Sequence, residues 1–284
     1  MLQPSTVYFN GQYISKDVVK ISPDDRGFYF ADGVYEVIKF YKGTGFMLKE
    51  HLNRLKNSMT GIKIVYEKVD DLGEVCNKLI KINQLQNDFA GIYIQITRGV
   101  SVRSHNFPPV SISPTIYCYS FPFPSFMNEK LMGVKVTTHE DIRWHRCNIK
   151  TIALLPNTLI FQEAFEKGAF ECLLVREGYF TEATHSNVLF VKDGVVYSHP
   201  DSNLILPGIT KSAVLDICIK MNIKVIELPV KAAEIKDFDE CFLTGTGSEV
   251  TPVIQIDDKV IGNGKPGPVT LKIQKEFFKM TYSE

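Results

Sequence analysis

Short runs of alternating or β-branched residues dominate the first part of the chain and predict a sheet. Strands are predicted at 7–9, 12–14, 34–41, 46–48, 92–97 and 115–121. Asn10-Gly11 lies between the first two runs and is typical of a two-residue hairpin turn. We therefore expect these two strands to pair.

Apolar residues at helical spacing occur twice in the same part of the chain. Leu52, Leu55 and Met59 recur at i, i+3 and i+7, which predicts an amphipathic helix. This helix carries His51 and Arg54. A second helix is predicted over 72–85.

The segment Pro122-Phe123-Pro124-Ser125-Phe126 breaks the periodicity and is typical of a linker. After it, predicted strands at 133–138, 171–175, 188–191, 225–228 and 241–243 alternate with predicted helices at 154–167 and 211–221. We therefore expect an α+β protein with two α/β domains. The predicted boundaries are a small N-terminal domain over 1–121, a linker over 122–128 and a larger C-terminal domain over 129–284.

Composition and charge narrow the class of protein. A length of 284 residues suits two domains, and 44% hydrophobic with 23% charged residues is typical of a soluble globular chain. Lys plus Arg equals Asp plus Glu at 32 each, so charge gives no argument for nucleic acid or an anionic membrane as partner. No apolar run is long enough to span a bilayer, and the first residues lack a secretory signal pattern. We expect a cytoplasmic protein.

The six cysteines are scattered along the chain, without a Cys-x-x-Cys pair or a histidine at metal-ligand spacing. Their positions are 76, 118, 147, 172, 218 and 241. This pattern predicts reduced core cysteines in a cytosolic protein, with neither a zinc site nor a disulfide.

Lys150 and Glu182 are candidates for chemistry, although a lone lysine or glutamate is usually a solvated surface charge. An amine becomes a Schiff-base nucleophile when burial or nearby cations lower its pKa. Arg143 and Arg146 precede Lys150, and its apolar neighbours suggest a partly buried strand end. Glu182 lies in the run Thr181-Glu182-Ala183-Thr184 before a predicted strand and could face the pyridine nitrogen of pyridoxal phosphate.

Two segments could bind a phosphate group. Gly208-Ile209-Thr210 opens directly into a predicted helix, with Thr210 as the expected N-cap, and free N–H groups at a helix start attract a dianion. Thr244-Gly245-Thr246-Gly247-Ser248 offers hydroxyls and N–H groups on a turn. A plain capped helix and an ordinary glycine-rich turn would look the same. Arg54 could add a cationic clamp, or be a solvated helix charge.

A long loop after the strand at 92–97 carries Arg103 and His105, two residues apart. In an extended conformation this spacing points both side chains the same way. Together they suit a carboxylate ligand.

These segments, in this order, resemble the fold type IV pyridoxal-phosphate enzymes and, within them, the bacterial D-amino acid aminotransferases. The resemblance extends over nearly the whole chain. It rests on 25–27, 30–36, 50–55, 93–99, 141–144, the Lys150 segment, 186–188, 208–210 and 248–252.

The resemblance implies a role for each candidate residue. Lys150 would be the Schiff-base lysine, and Glu182 would pair with the pyridine nitrogen. The phosphate would be held by Arg54, Ile209, Thr210 and Thr246, with Leu206 against the ring. The substrate carboxylate would be bound by Tyr35, Arg103 and His105. The family also implies a homodimer in which the loop with Arg103 and His105 reaches the neighbouring subunit.

The implied activity is reversible transamination between D-amino acids, such as D-alanine and D-glutamate, and 2-oxo acids. L-branched-chain aminotransferases, aminodeoxychorismate lyases and (R)-amine transaminases use the same scaffold and remain alternatives, as does a cofactor-binding protein without turnover. Arg103-Ser104-His105 favours the D-amino acid branch.

Two positions depart from the pattern of the close relatives. His185 replaces a residue of a serine-rich run, which we expect to alter the cofactor surroundings or the substrate range. Gly245 and Gly247 flank Thr246 where hydroxyl residues are usual, which we expect to remove phosphate hydrogen bonds.

Overall fold

The computed structural model describes residues 6–108 and 112–282, and these form two compact units. The first contains the described residues up to Pro124 together with Ile149–Leu154; the second contains Ser125–Asn148 and the described residues from Leu155 onward. The prediction assigned one continuous range of residues to each domain. In the structure, the first unit also includes the segment Ile149–Leu154, which contains Lys150.

A six-stranded antiparallel sheet forms the first unit, in the order β2-β1-β6-β5-β3-β4. Its strands are β1 Thr6–Phe9, β2 Gln12–Ser15, β3 Gly33–Tyr41, β4 Thr44–Gly45, β5 Phe89–Thr97 and β6 Thr115–Pro122. Its helices are α1 Arg26–Phe30, α2 Leu48–Gly61 and α3 Leu72–Ile82. The predicted hairpin is confirmed, because β1 and β2 pair across Asn10 and Gly11, which both have positive φ.

Two predictions in this unit differ from the structure. The strand predicted at 46–48 is wrong: β4 pairs with the end of β3, Met47 then turns into the left-handed region at φ 48°, and α2 begins at Leu48. Helix α1 was not predicted, since its five residues are too few to show a period. It begins where the Asp25 side chain accepts a hydrogen bond from Gly27 N.

The core of the first unit lies between β3, β5 and the helices α2 and α3. Val34, Ile38 and Phe40 on one face of β3 pack with apolar residues of the two helices. Glu36 lies in the same alternating phase and is fully buried. A carboxylate is therefore placed inside the apolar layer.

A nine-stranded mixed sheet forms the second unit, in the order β12-β11-β10-β13-β14-β7-β8-β9, with β15 paired to β14. Its strands are β7 Val134–Glu140, β8 Glu171–Arg176, β9 Tyr179–Ala183, β10 Asn187–Lys192, β11 Val195–Ser198, β12 Val225–Glu227, β13 Glu240–Gly245, β14 Glu249–Ile256 and β15 Lys259–Val260. Its helices are α4 Met127–Met132, α5 Leu155–Glu166, α6 Ile209–Lys220 and α7 Pro268–Thr281. The pairs β7–β8, β7–β14 and β11–β12 are parallel.

Several elements of the second unit were missed, namely α4, β9, β11, β14, β15 and α7. Strand β9 lacks an apolar alternation, since the polar residues Thr181 and Glu182 occupy buried positions in it. Hydrogen bonds satisfy both side chains there. Strand β14 likewise buries Glu249 and Thr251. In both strands, hydrogen bonds replace the apolar alternation on which the prediction depended.

Further expectations concern membranes, metals and thiols. Within 6–108 and 112–282, no helix is both long and apolar enough to cross a bilayer, and no cluster of His, Cys, Asp or Glu could hold a metal ion. All six cysteines are buried free thiols, as predicted for core positions.

Candidate active site

Lys150 lies in the irregular segment Ile149–Leu154 rather than at the predicted strand end. Its backbone N–H donates to Ser58 Oγ at 3.0 Å, and its carbonyl accepts from Tyr35 N at 3.0 Å. Ile149 beside it is buried in the core of the first unit. The backbone of Lys150 is thus held on both sides, which restricts where its side chain can go.

The Lys150 side chain faces Tyr35. Its Nζ lies 4.4 Å from the centroid of the Tyr35 ring, and a cation over an aromatic face is attracted by the ring quadrupole. Tyr35 in turn stacks on Tyr93, with centroids 5.7 Å apart. The residue predicted to bind the cofactor covalently and a residue predicted to bind the substrate are therefore neighbours.

Arg54 and His51 converge on the buried Glu36. Arg54 Nε donates to Glu36 Oε1 at 2.7 Å and Nη2 to Oε2 at 2.9 Å, while His51 Nδ1 lies 2.8 Å from Oε2. Burial alone would raise the pKa of Glu36, but Arg54 and His51 outweigh it and hold that pKa well below its ordinary value. Glu36 is therefore an anion that fixes the Arg54 guanidinium.

The pKa of His51 is lowered in this cluster. Burial lowers its pKa, Glu36 opposes that effect, and the charges of Arg54 and Lys150 reinforce it.

In the second unit, Glu182 is buried in β9 within a set of hydrogen-bond donors. Its Oε1 accepts from Arg143 Nη1 at 2.5 Å, and its Oε2 accepts from Asn187 Nδ2 and from Leu206 N, both at 3.0 Å. Burial raises the pKa of Glu182 above its ordinary value even though Arg143 opposes this effect.

Arg143 contacts other residues than the sequence predicted. The sequence suggested that it was a cation acting on Lys150. Instead, its Nε and Nη2 donate to Asp141 at 2.8 and 3.0 Å, and its Nη1 donates to Glu182. Its charge is thus compensated by two carboxylates of its own unit.

The donor set around Glu182 fits a protonated ring nitrogen. A carboxylate has about four acceptor sites, and Arg143, Asn187 and Leu206 use three of them. The raised pKa shows that these donors do not fully offset burial of the charge. One further N–H donor with positive charge, as in a pyridinium, would complete the set.

Helix α6 begins two residues earlier than predicted, at Ile209. Its N-cap is Gly208, not Thr210, and glycine has no side chain that could cap the first turn. Thr210 is buried in that turn and Ile209 is half-buried. The N–H groups at the start of a 12-residue helix suit an anion such as a phosphate.

Gly208 links this helix start to Glu182 through Asn187. A Cβ at Gly208 would lie 1.9 Å from Asn187 Oδ1. The same Asn187 donates to Glu182 and to the Leu206 carbonyl. Only glycine leaves room for the amide that joins the two halves of this site.

Thr246 is half-buried on the turn between β13 and β14. The departure noted at Gly245 has a local cause, since a Cβ there would lie 2.8 Å from Ser248 Oγ and 3.2 Å from Ser186 Oγ. These two hydroxyls are 3.0 Å apart and fill the space.

His185, the other departure, is half-exposed. Its Nδ1 lies 2.7 Å from Oε2 of Glu171, which is fully buried in β8. His185 therefore supplies a partner for a buried carboxylate.

Arg103 and His105 are exposed and meet at one aromatic ring. Arg103 Cζ lies 5.2 Å from the centroid of Phe30, and the His105 ring lies 5.5 Å from it. The two side chains therefore share a side of the loop, as their spacing predicts. Their roles toward a substrate, and those of the other site residues, stay predictions.

The sequence analysis assigned no role to Glu36, His51 or Asn187, and it gave Arg143 a different role. Glu36 could have been noticed as a charge in the apolar phase of a strand, and His51 as a polar residue beside Leu52 on a buried helix face. Arg143 and Asn187 carry no such signal, because neither lies in the apolar phase of a predicted helix or strand.

The chain was compared with known proteins. A family model described as "Amino-transferase class IV" matches residues 33–256. The D-alanine aminotransferase of Bacillus licheniformis is 40% identical over 280 residues, which is 98% of either chain. That of Staphylococcus haemolyticus is 39% identical over 274 residues, or 96% of each.

Solved structures give the same result for the fold. The branched-chain amino acid aminotransferase of Escherichia coli has a TM-score of 0.91 at 27% identity, over 98% of this chain and 95% of that one. The expected α+β, fold type IV architecture is thereby confirmed. With the family model over most of its length and curated relatives near 40% identity, the chain belongs to the class IV aminotransferase family.

Proposed function

We propose that this protein catalyses reversible transamination between D-amino acids, such as D-alanine and D-glutamate, and 2-oxo acids, with pyridoxal phosphate as cofactor. The observation that carries the proposal is the 40% identity, over 98% of the chain, with an enzyme named D-alanine aminotransferase. The geometry around Lys150 and Glu182 supports it.

Bound pyridoxal phosphate supplies an aldehyde carbon and an aromatic ring that accepts electrons from the substrate Cα. Lys150 Nζ would hold the cofactor covalently and, as a free amine, would accept the Cα proton. Glu182 would keep a proton on the ring nitrogen, and Leu206 would pack against the ring. The phosphate would be held by Arg54, Ile209, Thr210 and Thr246.

The substrate carboxylate is bound by Tyr35, Arg103 and His105, which we name the carboxylate trap. Arg103 supplies a charge-assisted hydrogen bond. Orientation of the carboxylate decides which face of Cα is presented to Lys150, so the trap sets the preference for D-amino acids. The presence of Arg103-Ser104-His105 in this trap favours the D-amino acid branch of the family.

We propose further that the enzyme is a cytoplasmic homodimer in which the loop with Arg103 and His105 serves the site of the neighbouring subunit. The exposure of both side chains supports this arrangement. The buried free thiols fit a reducing compartment.

The test is the first half-reaction, followed by the visible absorbance of the bound cofactor. We expect D-alanine and D-glutamate to shift the absorbance of the holoenzyme and L-leucine to leave it unchanged. The Lys150→Ala variant should lose both the Schiff-base absorbance and turnover.

Other outcomes would decide for the alternatives. A response to L-leucine and none to D-alanine would make the enzyme a branched-chain aminotransferase, which the similarity in structure to such enzymes keeps open. A response to amines alone would indicate an amine transaminase, and release of pyruvate from aminodeoxychorismate would indicate a lyase. A Lys150→Ala variant that kept D-alanine turnover would refute the assignment of the lysine.

A further inference from the structure

The loop that carries Arg103 and His105 is held from inside by Arg26 of α1. Arg26 Nη1 donates to the carbonyl of Ser104 at 2.7 Å and lies 3.4 Å from that of Asn106. These carbonyls belong to the residues on either side of His105. The Arg26 side chain is only 3% exposed, so the bonds form away from bulk water.

Arg26 is itself fixed by Asp32, which it shares with Arg98. Arg26 Nε bonds Asp32 Oδ2 at 2.8 Å, while Arg98 Nε bonds the same oxygen at 2.7 Å and its Nη2 bonds Oδ1 at 3.0 Å. Arg98 also donates to the carbonyls of Ile62 and Lys63 just after α2. The support of the loop therefore runs from α1 through the Asp32 carboxylate to the end of α2.

The Phe30 ring connects this support to the two trap residues. Its centroid lies 4.8 Å from Arg26 Cζ and 5.2 Å from Arg103 Cζ, and its ring is 5.5 Å from that of His105. Arg98 Cζ lies 3.6 Å from the Phe107 centroid farther along the loop. Cation–π contacts of this kind orient a guanidinium as well as attract it.

We propose that Arg26 and Phe30 are positioning residues of the carboxylate trap. Arg26 fixes the backbone on either side of His105, and Phe30 provides the surface on which Arg103 and His105 are aligned. Neither residue contacts the substrate in this proposal. They act by ordering an exposed loop before the substrate arrives, which removes the entropy loss that binding would otherwise carry. The inference rests on the proposed function, because it needs Arg103 and His105 to bind a carboxylate.

The test compares D-alanine with D-alaninamide, which lacks the carboxylate, in the holoenzyme and its variants. For Arg26→Lys we expect the KM for D-alanine to rise about tenfold, as for loss of one hydrogen bond to a charged group. For Phe30→Leu we expect a rise of about the same size, as for loss of a cation–π contact. The kcat should stay within about twofold, since the transition-state groups are untouched. The KM of D-alaninamide, or its inhibition constant if it is not turned over, should not change.

Matched variants separate positioning from folding. Phe30→Tyr keeps the ring and should retain the wild-type KM. Phe28→Leu changes an exposed phenylalanine of the same helix and should have no effect. In the Arg26→Lys/Arg103→Met double variant, the KM for D-alanine should rise by a factor far smaller than the product of the two single-variant factors. The reason is that Arg26 acts through Arg103 and the rest of the trap.

The outcomes distinguish this inference from the proposed function. If Arg103→Met left the ratio of the KM for D-alanine to the constant for D-alaninamide unchanged, the carboxylate trap itself would be refuted. If Arg103→Met changed that ratio but neither Arg26→Lys nor Phe30→Leu did, only the positioning role would fail. The positioning role would also be overturned if the two single-variant factors simply multiplied in the KM of the double variant. The same holds if Arg26→Lys or Phe30→Leu weakened the binding of D-alanine and D-alaninamide equally.

Discussion

Two buried carboxylates, one in each unit, have pKa values that are shifted in opposite directions. Glu36 receives two bonds from Arg54 and one contact from His51, and its pKa is lowered despite burial. Glu182 receives one cation, Arg143, which it shares with Asp141, and burial leaves its pKa raised. Glu36 therefore has two basic partners within the protein, whereas Glu182 has one cation that it shares with Asp141 and would gain a second from a pyridinium.

The raised pKa of Glu182 predicts a pH-dependent stability for the cofactor-free protein. A raised folded-state pKa contributes stability below the ordinary value of 4.5, and that contribution is lost as the pH rises toward the folded-state pKa. Since glutamine does not titrate, Glu182→Gln should gain stability relative to the wild type over this rise. The gain approaches about 1.4 kcal/mol per pH unit where one proton is released.

Urea unfolding of the cofactor-free proteins at a series of pH values from 4 to about 7 would measure this difference. Glu227→Gln, at an exposed position of β12, is the control and should follow the wild type. A difference between Glu182→Gln and the wild type that stayed constant with pH would show that Glu182 has no raised pKa. We expect the same Glu182→Gln variant to lose turnover in the holoenzyme, so that stability and activity respond in opposite directions.

At the scale of elements, the predictable parts are those where periodicity reports burial directly. The β1–β2 hairpin, β3, β5 and α2 follow apolar periods of two or 3.6 residues, and the sequence located them closely. Strand β9 and the segment before α6 are joined instead by hydrogen bonds among Glu182, Asn187 and Leu206. Their partners lie elsewhere in the chain, so a local pattern cannot report them.

The candidate site shows the same division. Lys150 and Glu182 were identified through resemblance, while their own flanking residues gave a misleading picture. Arg143 looked like a cation beside Lys150 because it is near in sequence, yet it bonds Glu182, 39 positions away. The local sequence can name a reactive residue, but the bonds that tune it form across elements.

The start of α6 gives a prediction at this scale. In Gly208→Ala the new Cβ would displace Asn187, which lies 1.9 Å away, and so disturb its bonds to Glu182 and the Leu206 carbonyl. Gly208 itself has φ −73°, so the substitution introduces no backbone strain. We expect the dissociation constant for pyridoxal phosphate to rise about tenfold or more, as for loss of a hydrogen bond to a charged group.

Titration of the cofactor-free protein with pyridoxal phosphate would give that constant. Gly73→Ala is a matched control, because a Cβ in that helical position would make only ordinary contacts, the nearest at 3.5 Å. It should bind the cofactor as the wild type does and be slightly more stable. Equal affinities for the Gly208→Ala variant and the control would refute the role given to Asn187.

For the whole molecule, the predicted site residues are divided between the two units. Lys150, Tyr35, Arg54, Arg103 and His105 belong to the first, and Glu182, Leu206, Ile209, Thr210 and Thr246 to the second. The proposed homodimer adds a further division, because it assigns Arg103 and His105 to the site of the neighbouring subunit. A dimer of this kind can be tested by combining two inactive chains.

Lys150→Ala and Arg103→Met are each expected to be poorly active as homodimers at low D-alanine concentration. If the loop crosses to the neighbouring subunit, a mixed dimer contains one site with both defects and one site with neither. Co-expression of the two chains in equal amounts makes about half of the dimers mixed, so about a quarter of the wild-type activity should return. If the loop serves its own subunit, each site of the mixed dimer carries one defect and no activity returns. Activity that returned without a dimer in sedimentation experiments would contradict the proposed assembly, whereas a dimer without restored activity would contradict only the crossing of the loop.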